Sequence, residues 1–161
     1  MNINADNPLR QQLIKHLEGG EAFTPIDEII RNISFEKLGI VPDNLPYSFW
    51  QQFYHLRFAQ YDILDFCRNP NYTTMKWPDD YWPDEPAPKS EQAWDDTVKA
   101  YFSERDEMAG LISDPKNNLF EPLPHGSGQT LLREALLVIE HTAYHTGQML
   151  IILRLLGLYS S

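Results

Sequence analysis

Residues 130–157 read TLLREALLVIEHTAYHTGQMLIILRLLG. The spacing predicts one long helix that opens near Thr130, runs to Leu156 and stops at Gly157, a residue suited to the left-handed position that often follows a helix. The helix is apolar on either side of its middle, where His141 and His145 stand four residues apart. That interval places both imidazoles on one face, one turn apart. Gln148 extends the same polar stripe, and Gly147 admits close approach of a neighbouring backbone at some cost in helix propensity. Imidazole suits zinc, nickel, copper and iron, but two rings are half a site. Tetrahedral zinc that keeps an open position usually takes three protein ligands. Pairs at this spacing also occur on ordinary helices, facing solvent or a satisfied core, so the remaining histidines decide between the readings.

The chain has five histidines. His55 lies inside WQQFYHLRFAQYD, among aromatic and aliphatic residues, and is the natural third member. His16 precedes LEGG at a helix end and reads as solvated. His125, in PLPHGSGQ, is read as exposed, with a place over the site as the alternative. Asp62 follows His55 by seven residues, about 10 Å along a helix axis. That is too far to share an ion directly, and leaves it to support the site or to bond at the end of the bundle. Glu140 is either a solvated carboxylate or a partner for a ligand imidazole.

Further out, each long segment carries helical spacing. Leu9, Leu13, Ile14 and Leu17 fall on one face, stopped by Gly19-Gly20. Ile26, Ile29, Ile30 and Ile33 form a shorter amphipathic piece, with Thr24 as its expected N-cap, Pro25 at its first position and Gly39 after it. Trp50, Phe53, Leu56, Gln60, Ile63 and Cys67 trace the face of a helix opened by Pro46 and closed by Asn69-Pro70-Asn71. Ser90 caps another, running to about Ile112 with Trp94, Val98, Tyr101, Met108 and Leu111 toward the core. No segment alternates with period two. The proline-rich stretch 70–89 reaches roughly 3 Å per residue, enough to run the length of a bundle and leave its flanking helices parallel. A second Pro/Gly-rich connection covers 113–129, and connections of this length often cover a site.

Composition narrows the function. The chain has 161 residues, enough for one domain with its own core, and a formal net charge of -10. An acidic surface repels phosphate backbones and anionic membranes. The single cysteine, Cys67, cannot form an internal disulfide and reads as a buried thiol. No apolar block suggests a signal peptide, and MLIILRLLGL is about half a membrane span. A cytoplasmic protein is expected. The acidic DDYWPDEP lacks the ligand pattern of a calcium loop, and GSGQT has neither the spacing nor the lysine of a phosphate loop. Tyr72, Trp77, Tyr81 and Trp82 either wall a pocket or pack the 70–89 connection onto the bundle.

LPYSFWQQFYHLRFAQYDIL and PLPHGSGQTLLREALLVIEHTAYHTGQMLIILRLLG, in this order and at this separation, resemble the second-helix and final-helix motifs of the DinB/YfiT-like superfamily of metal-binding four-helix bundles (the damage-inducible protein, not the polymerase that shares the label). The resemblance spans essentially the whole chain. It implies an all-α four-helix bundle, up-down-down-up, with a long crossover between helices 2 and 3, to which the isoleucine-rich piece adds a short extra helix after helix 1. It implies one divalent ion, zinc or nickel, held by His55, His141 and His145, and a homodimer formed through helices. Relatives include bacillithiol S-transferases and a mycothiol-dependent maleylpyruvate isomerase, so a low-molecular-weight thiol is the second expected cofactor.

The expectation is a single domain over 1–161 with a three-histidine site that keeps an open coordination position. It would act on a small molecule as a thiol transferase, isomerase or hydrolase. The alternative is a non-catalytic stress-response bundle with a structural metal, which a fourth protein ligand such as His125 would favour. The substrate pocket is expected under both long connections, with Gln148 orienting the bound group or bonding between helices. Because histidine must be neutral to donate its lone pair, its reference pKa of about 6.5 predicts metal loss below about pH 6.

Overall fold

A computed structural model of the chain describes residues 7–159; the ends of the expected 1–161 domain, residues 1–6 and 160–161, lie outside the described residues. The described residues form helices α1 (Asn7–Glu18), α2 (Ile26–Ile30), α3 (Phe49–Arg68), α4 (Glu91–Ser113) and α5 (Leu131–Leu155), with a 3-10 turn at Phe35–Lys37 and no strand. The class is all-α. None of these helices is long and apolar enough to cross a membrane.

The helix ends follow local chemistry. Ser48 accepts from the Gln51 amide while the Gln51 side chain accepts from the Ser48 amide, a reciprocal cap at the start of α3. Ser90 and Thr130 cap α4 and α5 by accepting from Ala93 and Arg133. Gly157, at φ 69°, ends α5 in the left-handed conformation that its position predicts. The start of α2 differs from expectation: Pro25 is the N-cap, with no side-chain bond. Thr24 instead pairs its hydroxyl with that of Tyr159 at 3.2 Å. The isoleucine-rich helix also stops at Ile30, and Ile33 is buried from the turn beyond it.

Two apolar clusters make the core. One gathers Ile29, Leu38, Phe49, Phe53, Leu56, Tyr101, Met149 and Ile152. The other gathers Leu13, Leu17, Leu64, Met108, Ile112, Leu131, Ala135 and Val138. Helix α5 passes from the second cluster at Val138 to the first at Met149, and both of its histidines stand in that interval. Between α3 and α4, Phe53 packs on Trp94 and Tyr101, Gln60 donates to the Tyr101 carbonyl at 2.8 Å, and Arg57 clasps Glu104. Buried Arg10 of α1 donates to the carbonyls of Ile112 (2.5 Å), Asp114 (3.1 Å) and Asn117 (2.7 Å). It thereby satisfies a carbonyl that the last turn of α4 leaves open, at Ile112, and ties the turn that follows to α1.

The 69–90 connection is pinned beside the start of α3. Ser48 donates to the Pro86 carbonyl at 2.5 Å and Gln51 to the Pro83 carbonyl at 3.3 Å. A Cβ on Gly39 would lie 2.5 Å from Ala87 Cβ and 3.1 Å from its Cα, so only glycine fits beneath this segment. Gly39→Ala is expected to destabilise the protein by about 1–3 kcal/mol, as overpacking does. A urea midpoint equal to that of the native chain would contradict this placement.

Candidate metal centre

His55 sits in the middle of α3, 2% exposed; His145, in the middle of α5, is 5% exposed, and His141 one turn earlier is half-buried. One ring nitrogen from each of the three lies within 4.8 Å of the others. His141 Nε2 is 3.2 Å from His55 Nε2. The far nitrogens of two rings are anchored. His55 Nδ1 donates to the Tyr81 carbonyl at 3.3 Å, and His145 Nδ1 donates to Gln52 Oε1 at 2.7 Å. An Nδ1–H held this way leaves the Nε2 lone pair free to face a common point. Three converging imidazoles, two with fixed tautomers, form a donor set that fits a divalent transition-metal cation.

The 69–90 connection covers these rings. Trp82 stacks on His55 with ring centroids 4.0 Å apart and planes 4° from parallel. Trp77 meets His55 edge-on at 5.8 Å and is itself 64% exposed. Asp62, buried at the next turns of α3, accepts from Tyr72 Oη at 2.9 Å and Tyr81 Oη at 2.5 Å. The tyrosine whose carbonyl holds His55 is thus fixed in turn by Asp62. Burial first, and the Asp62 bond second, push the Tyr72 hydroxyl up to about 12 and that of Tyr81 higher still. Both phenols therefore stay protonated and donating.

Other sequence-predicted residues fall elsewhere. His125 is half-buried rather than exposed, and its Nε2 donates to the Phe66 carbonyl at 2.6 Å. Phe66 lies eleven residues beyond His55 on α3, about 16 Å along the axis. His125 thus docks the 114–130 connection at the far end of α3 and does not join the cluster, so this connection does not roof the site as expected. Gln148 is half-buried one turn past His145, while the amide that holds His145 belongs to Gln52. Gly147 is exposed, with nothing within 4 Å of where its Cβ would be, so no backbone approaches it. Glu140 and His16 are exposed. Cys67 is half-buried, and burial raises its thiol to about 12, which makes it inert. Gln52 carries no distinguishing signal in the sequence beyond its place one turn before His55 on the same face.

Burial also alters the histidines. It lowers all three: the bond to the Tyr81 carbonyl partly opposes the shift at His55, while repulsion from neighbouring imidazoles adds to it at His141, held at about 4, and His145, held at about 3. In the unfolded chain each titrates near about 6.5. Below that pH the unfolded state binds more protons than the folded one, so stability is complete above about 6.5 and falls as pH drops toward 3. Metal-free protein is expected to lose on the order of a few kcal/mol across this window. Denaturation at pH 7.5 and 4.5 measures the loss, and equal stability at both would contradict it. Proton competition at His141 and His145 also begins nearer pH 4 than the pH 6 implied by free imidazole.

A family model described as the DinB superfamily matches residues 24–149, a span that contains all three clustered histidines. No curated protein and no solved structure matches the chain.

Proposed function

The chain belongs to the DinB superfamily, and from that premise we propose that His55, His141 and His145 hold one divalent cation, zinc or nickel, in a metal-dependent enzyme that acts on a small molecule in the cytoplasm. The observation that carries this reading is the convergence of one nitrogen from each of the three rings within 4.8 Å, with the outer nitrogens of two of them already bonded. When bound, such an ion supplies Lewis-acid chemistry and lowers the pKa of a water or a thiol near it. The protein's own part is to fix the imidazoles and to shield them. Tyr81 and Gln52 hold two rings, Asp62 braces Tyr81, and Trp82 closes one face of His55.

Among the described residues no fourth histidine, cysteine or carboxylate joins the cluster. That favours an open position over a purely structural ion. Thiol transfer or isomerisation is the preferred chemistry, because Cys67 is inert and an external thiol would supply the nucleophile; metal-assisted hydrolysis is the other. Cobalt replacement distinguishes them. A sulfur-to-cobalt charge-transfer band on adding bacillithiol, mycothiol, glutathione or cysteine supports thiol chemistry. No band with any of them, with a spectral shift on raising pH, favours hydrolysis.

The same reading takes the bundle as up-down-down-up. Its support is the direction of residue numbers at the contacts. They rise together from Phe53–Trp94 to Arg68–Glu107 between α3 and α4, and run oppositely between Arg10–Ile112 and Glu18–Arg105 of α1 and α4. The proposal extends to a homodimer formed through helices. Leu136, Tyr144, Ile151 and Leu155 leave a line of exposed apolar side chains along α5. Light scattering at tens of micromolar is expected to give twice the chain mass, and a monomer would refute the dimer.

A further inference from the structure

Gln52 is 0% exposed, and its Oε1 accepts from His145 Nδ1 at 2.7 Å. Its Nε2 is buried with no partner. An orphaned buried donor is costly, and a methionine of similar length would fill the same space without it. The amide is therefore poorly explained by packing alone and well explained by its oxygen, which fixes one tautomer of His145. It is also a neutral acceptor where a carboxylate would serve the same geometry. The acceptor for His55, the Tyr81 backbone carbonyl, is neutral too. The nearby carboxylate of Asp62 is engaged by two tyrosine hydroxyls.

We infer that Gln52 is a positioning residue for His145, and that its neutrality leaves the positive charge of the bound cation free to attract an anionic external ligand. The inference rests on the metal reading above. Holding Nδ1–H outward aims Nε2 at the site, and partners of this kind typically govern metal affinity by 10- to 100-fold. A carboxylate at position 52 would keep the acceptor but place a negative charge beside the imidazole, weakening attraction for a second anion.

The test uses the full chain and two variants, Gln52→Met and Gln52→Glu, with Co2+ as the metal probe and azide as the anion probe. In metal-free native protein, 15N NMR is expected to show His145 protonated at Nδ1. Gln52→Met is expected to lose that preference and bind Co2+ about 10- to 100-fold more weakly in chelator competition. Its melting temperature should stay within about 3 °C of native, which separates positioning from a structural role. Gln52→Glu is expected to restore Co2+ affinity and to bind azide about tenfold more weakly than native. A Gln52→Met variant that keeps both the tautomer and the Co2+ affinity overturns the positioning role. Equal azide affinity in native and Gln52→Glu protein overturns the charge argument. Native protein that takes up no Co2+, yet shows the Gln52-dependent tautomer, overturns the metal reading and leaves the positioning of His145 supported.

Discussion

Replacing His145 with alanine is expected to lower affinity for zinc or nickel by more than about 100-fold, a larger effect than losing a partner that merely orients a ligand. The ring is buried, anchored through Nδ1 by Gln52, and lies nearest to both of its neighbours, at centroid distances of 4.6 Å from His55 and 4.3 Å from His141. Without it the remaining pair is a weak bidentate site. No other histidine, cysteine or carboxylate among the described residues joins the cluster to take its place. The substitution also removes a buried imidazole that resists protonation, so the metal-free variant should lose less stability than native protein between pH 6.5 and 4. Calorimetric titration reads the affinity and acid denaturation reads the second effect. Native-like affinity in His145→Ala would remove this residue from the site.

Arg57→Met is expected to destabilise the fold by about 3 kcal/mol, the lower end of the cost of stranding one partner of a buried ion pair, because Arg57 is itself only half-buried. Glu104 is 7% exposed on α4, and Arg57 reaches it from α3 with two bonds, one of them Nε–Oε2 at 3.0 Å. Burial already raises the pKa of Glu104, and Arg57 opposes that rise. Removing the guanidinium leaves a carboxyl that must either stay charged in an apolar setting or take up a proton. Adding Glu104→Leu to Arg57→Met should recover most of the loss, because replacing both charges removes the desolvation cost as well as the attraction. Urea unfolding of the single and double variants tests this. A loss below about 1 kcal/mol for Arg57→Met would show the pair behaving as a surface bridge.

The helical class and the three long C-terminal helices were legible because their signals are local. Ser90 caps α4, Thr130 opens α5 and Gly157 stops it where expected, whereas α3 opens at Phe49 behind a Ser48 cap rather than at Pro46. The meeting of His55, His141 and His145 was legible as well, since each is an imidazole on an apolar helical face and a resemblance linked them. What holds those rings was not. Tyr81 acts through its backbone carbonyl, which no side-chain pattern reveals, and Gln52 looks in sequence like an ordinary polar helix residue. His125 failed for a similar reason: its partner is the carbonyl of Phe66, fixed only once the 114–130 connection has docked. Thr24 was misread because a tertiary bond to Tyr159 competes with capping, and Gly147 because its neighbourhood is open solvent.

The proposed chemistry depends on the three histidines holding one ion. The direct measurement is metal content per chain, by elemental analysis of protein purified without an affinity tag, for the native sequence and for the variant with His55, His141 and His145 all changed to alanine. The predicted result is about one ion per chain in the native protein and none in the variant; a variant that keeps its full metal load would contradict the assignment.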